Sequence, residues 1–366
     1  MVPLHTECNS RTGHQSHDMD SGAGCRAKYV LSMIPRLSCP IGGCPIPNPW
    51  VSPILKEWSQ FAGSNLLAIV ILSRGKCGLS TCTSRYLVAM ATADLLVIIT
   101  DVILWRINYH YFPESFLNIT PVCSVIFVLL RATTDYSVWF TVTFSFDRFV
   151  AICCQKLKTK YCTEKTAAVV LVTTCTVLFL QNIPTYFIFE PAEIIDNVTW
   201  GCYVKSSCYT EPRWKGFYWF DVILTPVLPF VLILLLNAVT VRHILVASRV
   251  RKGLRGQSKG ENRSDPEMES RRKSVILLFT ISSCFILLWL MYVIYFLTSN
   301  ITGTYLEDYT DPFYIFGQFG IMLQVLSCCI NTFIYGATQS KFREQVKNVV
   351  KYPVISIIKL INKLKN

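Results

Sequence analysis

Charge is scarce in this chain. Of its 366 residues only 16% are Asp, Glu, Lys or Arg, while 52% are hydrophobic and the mean hydropathy is +0.39. That balance excludes a polar-surfaced soluble globule. Acidic residues are the scarcer kind, 23 against 35 basic ones, for a formal net charge of +12. The cations are dispersed between apolar runs and no nucleic-acid-binding motif accompanies them, so no nucleic-acid partner is expected and positive-inside placement is the simpler cause. There are five histidines; His110 and His243 stand alone at opposite membrane faces, and no His-Glu-x-x-His set or convergent nucleophile and base occurs. An enzyme is therefore not expected. Internal repeats and paired glycine-interrupted spans, the marks of many transporters, are absent as well. Residues 1–57 show no basic, apolar and small-residue series, so no cleavable signal peptide is expected. They read as a disordered extracellular segment whose Cys8, Cys25, Cys39 and Cys44 either form external disulfides or remain free.

Long apolar runs are what the chain has in abundance. The central one is 123–154, CSVIFVLLRATTDYSVWFTVTFSFDRFVAICC. A bilayer crossing needs about 20 mainly apolar residues, and this run exceeds that while carrying Arg131, Asp135 and the triplet Asp147-Arg148-Phe149. Ionisable groups inside a span are costly and face a bundle or a wet cavity, so this helix is the inner one, surrounded by others. The others are expected at 58–72, 86–107, 167–189, 217–247, 274–297 and 313–338. The first is short, with Lys56-Glu57 where further apolar turns are needed, so six spans with a soluble leader is the competing count. Pro184 falls near the end of the fourth span, and Pro226 and Pro229 are expected to kink the fifth.

Short basic loops alternate with acidic ones bearing N-glycosylation acceptors: Asn118-Ile-Thr, Asn197-Val-Thr and Asn300-Ile-Thr. The alternation gives an all-α bundle of seven transmembrane helices with the N-terminus outside and the C-terminus in the cytoplasm. The sequon at Asn262 falls in an inner loop and is expected to stay unmodified. After 338 the stretch QSKFREQVKNVV has helical amphipathic spacing, an inner-face helix against anionic lipid, followed by a tail to 366.

Cys123 stands at the outer mouth of the third helix, and Cys202 and Cys208 both lie in the second outer loop. One disulfide is expected there; Cys202 is taken as the partner with Cys208 in competition, because spacing does not fix pairing. Arg131 and Asp135 share a helix face as an i,i+4 pair. With Asp221, Tyr292, Tyr295 and Gln318 at similar outer depth, they make a ligand pocket of opposed charges and aromatics suited to a small zwitterion or short peptide. A purely structural Arg131–Asp135 pair is the rival reading.

Asn65 in the first helix, Asp94 in LVAMATAD, the Asp147-Arg148-Phe149 triplet behind Cys123, Phe285 and Trp289 in FILLW, a proline in the fifth helix and Asn331-Thr-x-x-Tyr335 resemble the rhodopsin-like (class A) G-protein-coupled receptors, over about residues 62 to 350. Within that family the chain looks most similar to orphan receptors grouped with the brain's aromatic amino-acid sensor. The resemblance implies a seven-helix receptor domain at 58–338, a plasma-membrane location and activation of a heterotrimeric G protein. Asp147, Arg148, Phe285, Trp289, Asn331 and Tyr335 become signalling-switch residues, and Asp94, Ser137, Ser327 and Asn65 a mid-membrane sodium site, with no other cofactor. Phe149 stands for the usual tyrosine, Thr332 for the usual proline of the seventh helix and Met291 for the usual proline of the sixth; Asn237 replaces a common tyrosine, and the fourth helix lacks its tryptophan. Less bending of the sixth helix is expected. The weak first span also leaves room for a trafficking-impaired or nonsignalling membrane scaffold.

Overall fold

The computed structural model describes residues 51–255, 266–302, 311–349 and 351, with the side chains of 51–57, 110, 209, 250–255, 266–271 and 300 outside the description. The four leader cysteines, Asn262, the tail beyond 351, and the side chains of Asn300 and of Glu269 and Arg271 at the start of the sixth helix therefore lie outside the described residues.

Seven long helices follow in order. They are α1 (Val51–Ser73), α2 (Thr81–Ile107), α3 (Thr120–Cys153), α4 (Glu164–Ile188), α5 (Pro212–Arg249, helical on to Arg255), α6 (Pro266–Thr302) and α7 (Pro312–Thr338). A shorter helix, α8, covers 340–349. By length and composition α2 to α7 can each cross a membrane, and the apolar part of α1, Trp58–Ser73, is shorter. The seven-helix bundle is the architecture expected, with α1 extended by seven residues ahead of its apolar run.

In α2, α4 and α7 polar caps set the helix start upstream of the apolar run. Ser80 accepts from Thr83 N at 3.2 Å, Thr163 accepts from Thr166 N at 3.2 Å, and Asp311 accepts from Phe313 N at 2.7 Å with Pro312 at the first helical position. Each cap satisfies amide donors that the first turn cannot. α5 is interrupted where proline requires it: Thr225, before Pro226, has φ −146° and ψ 92°, within a π-helical stretch Ile223–Val227. α6 runs as one helix past Met291.

The main apolar core lies toward the α8 end of the bundle. Tyr86, Leu87 and Met90 of α2, Phe140 and Phe144 of α3, Leu277 and Ile281 of α6, and Ile334 and Tyr335 of α7 meet there. Phe342 of α8 joins them, its ring 6.0 Å from that of Tyr335. Arg343 donates to the carbonyls of Gly336 and Ala337 at 2.9 and 3.0 Å, covering orphan acceptors at the end of α7. α8 thus presents one buried residue, Phe342, and an otherwise more exposed face, as its amphipathic spacing predicted.

At the opposite end the α4–α5 connection forms a hairpin enclosed by an outer two-stranded ladder, which apolar periodicity did not reveal. β1 (Phe189–Glu190) pairs antiparallel with β4 (Tyr203–Val204), and β2 (Glu193–Ile195) with β3 (Val198–Trp200). Asp196 and Asn197 form the tip with φ of 49° and 61°, the left-handed pair that a two-residue hairpin demands. The Cys123–Cys202 disulfide fastens this loop to the start of α3, with Cα atoms 6.3 Å apart, while Cys208 is a free thiol.

Candidate functional site

Between the hairpin and the middle of the bundle, four helices contribute polar groups. Arg131 of α3 is ion-paired with Asp221 of α5. The intrahelical Arg131–Asp135 pair expected from spacing does not form. Asp135, 4% exposed, accepts from Asn182 Nδ2 of α4 at 2.6 Å, so it serves the α3–α4 contact. The i,i+4 spacing puts both residues on one side of α3, but α5 offers Arg131 a carboxylate and α4 offers Asp135 an amide. Arg131 Nε is buried without a hydrogen-bond partner. This leaves one guanidinium N–H without a protein acceptor.

Tyr292 of α6 lies near this pair and continues an aromatic file along α6. Phe285 stacks on Trp289 with centroids 5.3 Å apart, Trp289 meets Tyr292 edge-on at 5.8 Å, and Tyr292 stacks on Phe296 at 5.5 Å. Spacings of four, three and four residues keep these rings on one helix face. Tyr295 turns away from it: its ring packs at 5.1 Å from Phe313, and a β-carbon on Gly317 would fall 2.4 Å from it. Tyr295 therefore belongs to the α6–α7 seam rather than to the charged group. Gln318 is half-buried on α7, one residue beyond that notch.

Deeper in the bundle Asp94 of α2 is 1% exposed and accepts two hydrogen bonds, from Ser137 Oγ at 2.5 Å and from Asn331 Nδ2 at 2.7 Å. Ser327 instead accepts from Trp289 Nε1 at 3.0 Å and donates to Gln324 O at 2.6 Å. Asn65 is committed elsewhere: Nδ2 donates to Cys328 O at 2.9 Å, and Oδ1 accepts from Thr332 at 3.1 Å. Of the four residues assigned to one cluster, Ser137 alone touches Asp94, and Asn331, assigned to the switch, is its second partner. Ser137, Ser327 and Asn331 border a cavity of ≈ 10 Å³ that Phe285 also lines, about the space of one water. The oxygen donors Asp94, Ser137 and Ser327 suit a hard cation, but Asn331's amide now occupies one carboxylate oxygen and Asn65 is out of the set. Among the described residues there is no group of three His, Cys, Asp or Glu side chains able to hold a metal.

At the α8 end, Asp147 is fully buried and Arg148 is 6% exposed. Arg148 Nε donates to Asp147 Oδ2 at 2.9 Å, and the Cys82 thiol of α2 donates to Oδ1 at 3.1 Å. The ion pair expected between neighbours in the triplet is present. Cys82 was not foreseen, because nothing in its local sequence separates it from any other small buried apolar residue. Cys162, in the turn between the short helix Gln155–Tyr161 and α4, donates to Asp147 O at 3.8 Å. Burial, followed by the Asp147 charge, raises its thiol to about 11.

The acceptor Asn118 is not on an open loop surface. It is 9% exposed, its Nδ2 donates to Phe112 O and Pro113 O at 3.0 and 2.8 Å, and Oδ1 accepts from Asn108 at 2.9 Å. A glycan on that nitrogen would take one of the two donors that hold this turn. Asn197, at the exposed hairpin tip, has no such constraint.

This chain is 22% identical over 302 residues to the G-protein coupled estrogen receptor 1 of Mus musculus, covering 80% of this chain and 71% of that one. It is 22% identical over 305 residues to the sex peptide receptor of Drosophila melanogaster, covering 78% and 68%. To the FMRFamide receptor of the same organism it is 22% identical over 231 residues, covering 58% and 41%. The model of the seven-transmembrane receptors of the rhodopsin family matches residues 64–335, from the residue before Asn65 in α1 to Tyr335 in α7. The buried Asp94, the Asp147–Arg148 pair, the Trp289–Phe285 stack and Asn331 all fall inside that match, and the chain belongs to the rhodopsin family of seven-transmembrane receptors.

Proposed function

We propose that the chain is a plasma-membrane receptor that binds a short peptide or a small zwitterion from outside and activates a heterotrimeric G protein. The hairpin end faces outward and the Arg148 end the cytoplasm, as the loop charges require. The observation that carries the reading is the Arg131–Asp221 ion pair with the unpartnered Nε of Arg131. A ligand carboxylate or amide carbonyl can accept from that N–H while a ligand amine meets Asp221, and the aromatic file supplies a wall for an aromatic side chain. The sex peptide and FMRFamide receptors favour a peptide. The resemblance to the aromatic amino-acid-sensing group makes a free aromatic amino acid the second member of the same chemistry.

Ligand contact at Tyr292 passes along the stack to Trp289, whose bond to Ser327 joins α6 to α7. Differential contact with two packings of α5, α6 and α7 shifts their populations. Release of Arg148 from Asp147 then frees its donors for a partner at the inner face. Asp94, Ser137 and Ser327 would hold a sodium ion, which would supply charge that favours the resting packing. Anionic lipid is the expected neighbour of α8. A second reading, a scaffold that does not signal, draws on the short apolar part of α1.

Screening amino acids and short amidated peptides against a G-protein dissociation readout tests the proposal. A response that disappears in Arg131→Gln at matched surface expression is expected. A ligand whose response is indifferent to Arg131 and Asp221 refutes the pocket, and a ligand that binds without dissociating any G protein supports the scaffold.

A further inference from the structure

We infer that Thr332 is a positioning residue that fastens α7 to α1 and thereby sets how readily the Tyr335 end of α7 can move. Its hydroxyl has one proton, shared between Asn65 Oδ1 at 3.1 Å and the carbonyl of Ser64 at 3.3 Å. Asn65 returns the contact through Nδ2 to Cys328 O at 2.9 Å. The asparagine is fully buried and Thr332 is 8% exposed, so no water competes for these groups. The result is a closed α1–α7 seam in which both ends of one amide and one hydroxyl are committed.

The residue type makes the difference. A proline in this place would lack both the hydroxyl and the backbone N–H, and would loosen α7 at the same level. Threonine leaves α7 an unbroken helix from Pro312 to Thr338 and adds a donor aimed at α1. The seam is separate from the Asp94 group: Asp94 draws on α3 and on Asn331, one residue before Thr332, and has no bond to Asn65. Two adjacent residues of α7 are thus held to two different helices, Asn331 to α2 and Thr332 to α1. α1 has the shortest apolar run of the seven, so side-chain bonds to α7 matter more for its retention than they would for a longer span.

The signalling part of this inference rests on the proposed G-protein coupling, and the experiment separates the two. Thr332→Val removes the donor at constant shape, Thr332→Ser retains it, and Thr332→Pro restores the family's residue without it. Hydrogen exchange of peptides from 64–73 and 325–338, measured in lipid nanodiscs, reads the seam; ligand-free G-protein dissociation at matched surface expression reads its effect. Valine and proline should both quicken exchange in these peptides and raise the ligand-free signal about threefold, the scale of one interhelical hydrogen bond in a membrane. Serine should leave both as in the parent. Parental exchange in valine and proline overturns the inference, as does serine behaving like valine. Quickened exchange rescued by serine, with no G-protein signal from any variant, upholds the seam and counts against the coupling. If valine does not reach the membrane, the proline and serine pair decides alone.

Discussion

Replacing Asp221 by asparagine should strand the Arg131 guanidinium between α3 and α5. The two side chains are 10% and 29% exposed, so the carboxylate is nearly dry and the cation keeps a limited contact with water. Removing one partner of a buried pair costs roughly 3–5 kcal/mol. Partial exposure of Arg131 lowers that to about 2 kcal/mol, because water solvates part of the stranded charge. Such a loss is a factor of about 30 in the folded-to-unfolded ratio. Arg131→Leu strands the carboxylate instead and should cost at least as much, since Asp221 is the drier group. The double variant, Arg131→Leu with Asp221→Asn, leaves no charge and should recover most of the loss, giving a coupling of about 1–3 kcal/mol. The assay is monodisperse protein remaining after stepped heating in nanodiscs. Ligand response should vanish in all three variants, so recovery of stability without response in the double variant separates packing from binding. Single losses below about 0.5 kcal/mol, or a double loss equal to the sum of the singles, would refute the assignment of this pair.

Gly320→Ala should destabilise by about 1–3 kcal/mol, because its β-carbon would meet Tyr292 N at 2.9 Å and Cα at 3.0 Å, and a backbone cannot rotate away. Gly63→Ala, with nothing within 4 Å of the added carbon, is the neutral control, and the two melting curves decide it. Cys162 should react with iodoacetamide about 100-fold more slowly in the folded chain than in the unfolded one at pH 8, since burial raises its thiol from 9.0 to about 11. The folded state therefore holds this proton longer: its contribution to stability is intact below pH 9 and fades between about 9 and 11, and equal labelling rates at pH 8 would sink it. Asn197→Gln should remove a glycan mass shift, whereas Asn118→Gln should lower stability without one; a shift lost only in Asn118→Gln reverses the assignment.

All seven helices were legible, the first only as a short run, because a membrane span must be a long apolar run, and such a run is visible without any knowledge of its partners. Their starts were not, since Ser80, Thr163 and Asp311 cap turns that carry little hydropathy. Pairings were harder still. Spacing along α3 showed that Arg131 and Asp135 share a face, but which of α4 and α5 each would meet depends on the rotation of those helices, which sequence periodicity does not specify. The same limit hid Thr332 and Cys82, whose partners lie 267 and 65 residues away. The surroundings of Asn118 were hidden for a different reason: the acceptor pattern reports a local tripeptide, while the burial of its amide depends on Phe112, Pro113 and Asn108.

The irregular helix segments fall beside charges, and this follows from geometry. Asp101 and Arg106 of α2 are five residues apart and bonded at 3.0 Å. On a regular α-helix the fifth residue lies well round from the first, but the π-helical stretch Ile98–Ile107 widens the turn and returns it to the same side. In α5 the break at Thr225 comes four residues after Asp221, so the segment carrying Asp221 is set apart from the rest of its helix, Leu228–Arg255. α6 and α7 lack prolines at Met291 and Thr332 and run without a break, and they carry the aromatic file and the Asn331 and Thr332 anchors. Bends need an identifiable source, and here proline supplies one in α5 and in neither α6 nor α7. Asp221, the α5 half of the charged pair, therefore sits on a segment that the break at Thr225 sets apart from the rest of its helix, while Arg131 and the residues that link α6 and α7 to the rest of the bundle sit on unbroken helices. A small displacement of Asp221 can be absorbed at Thr225, whereas a displacement of Tyr292 must be carried down α6 as a whole, through Trp289 to its bond with Ser327.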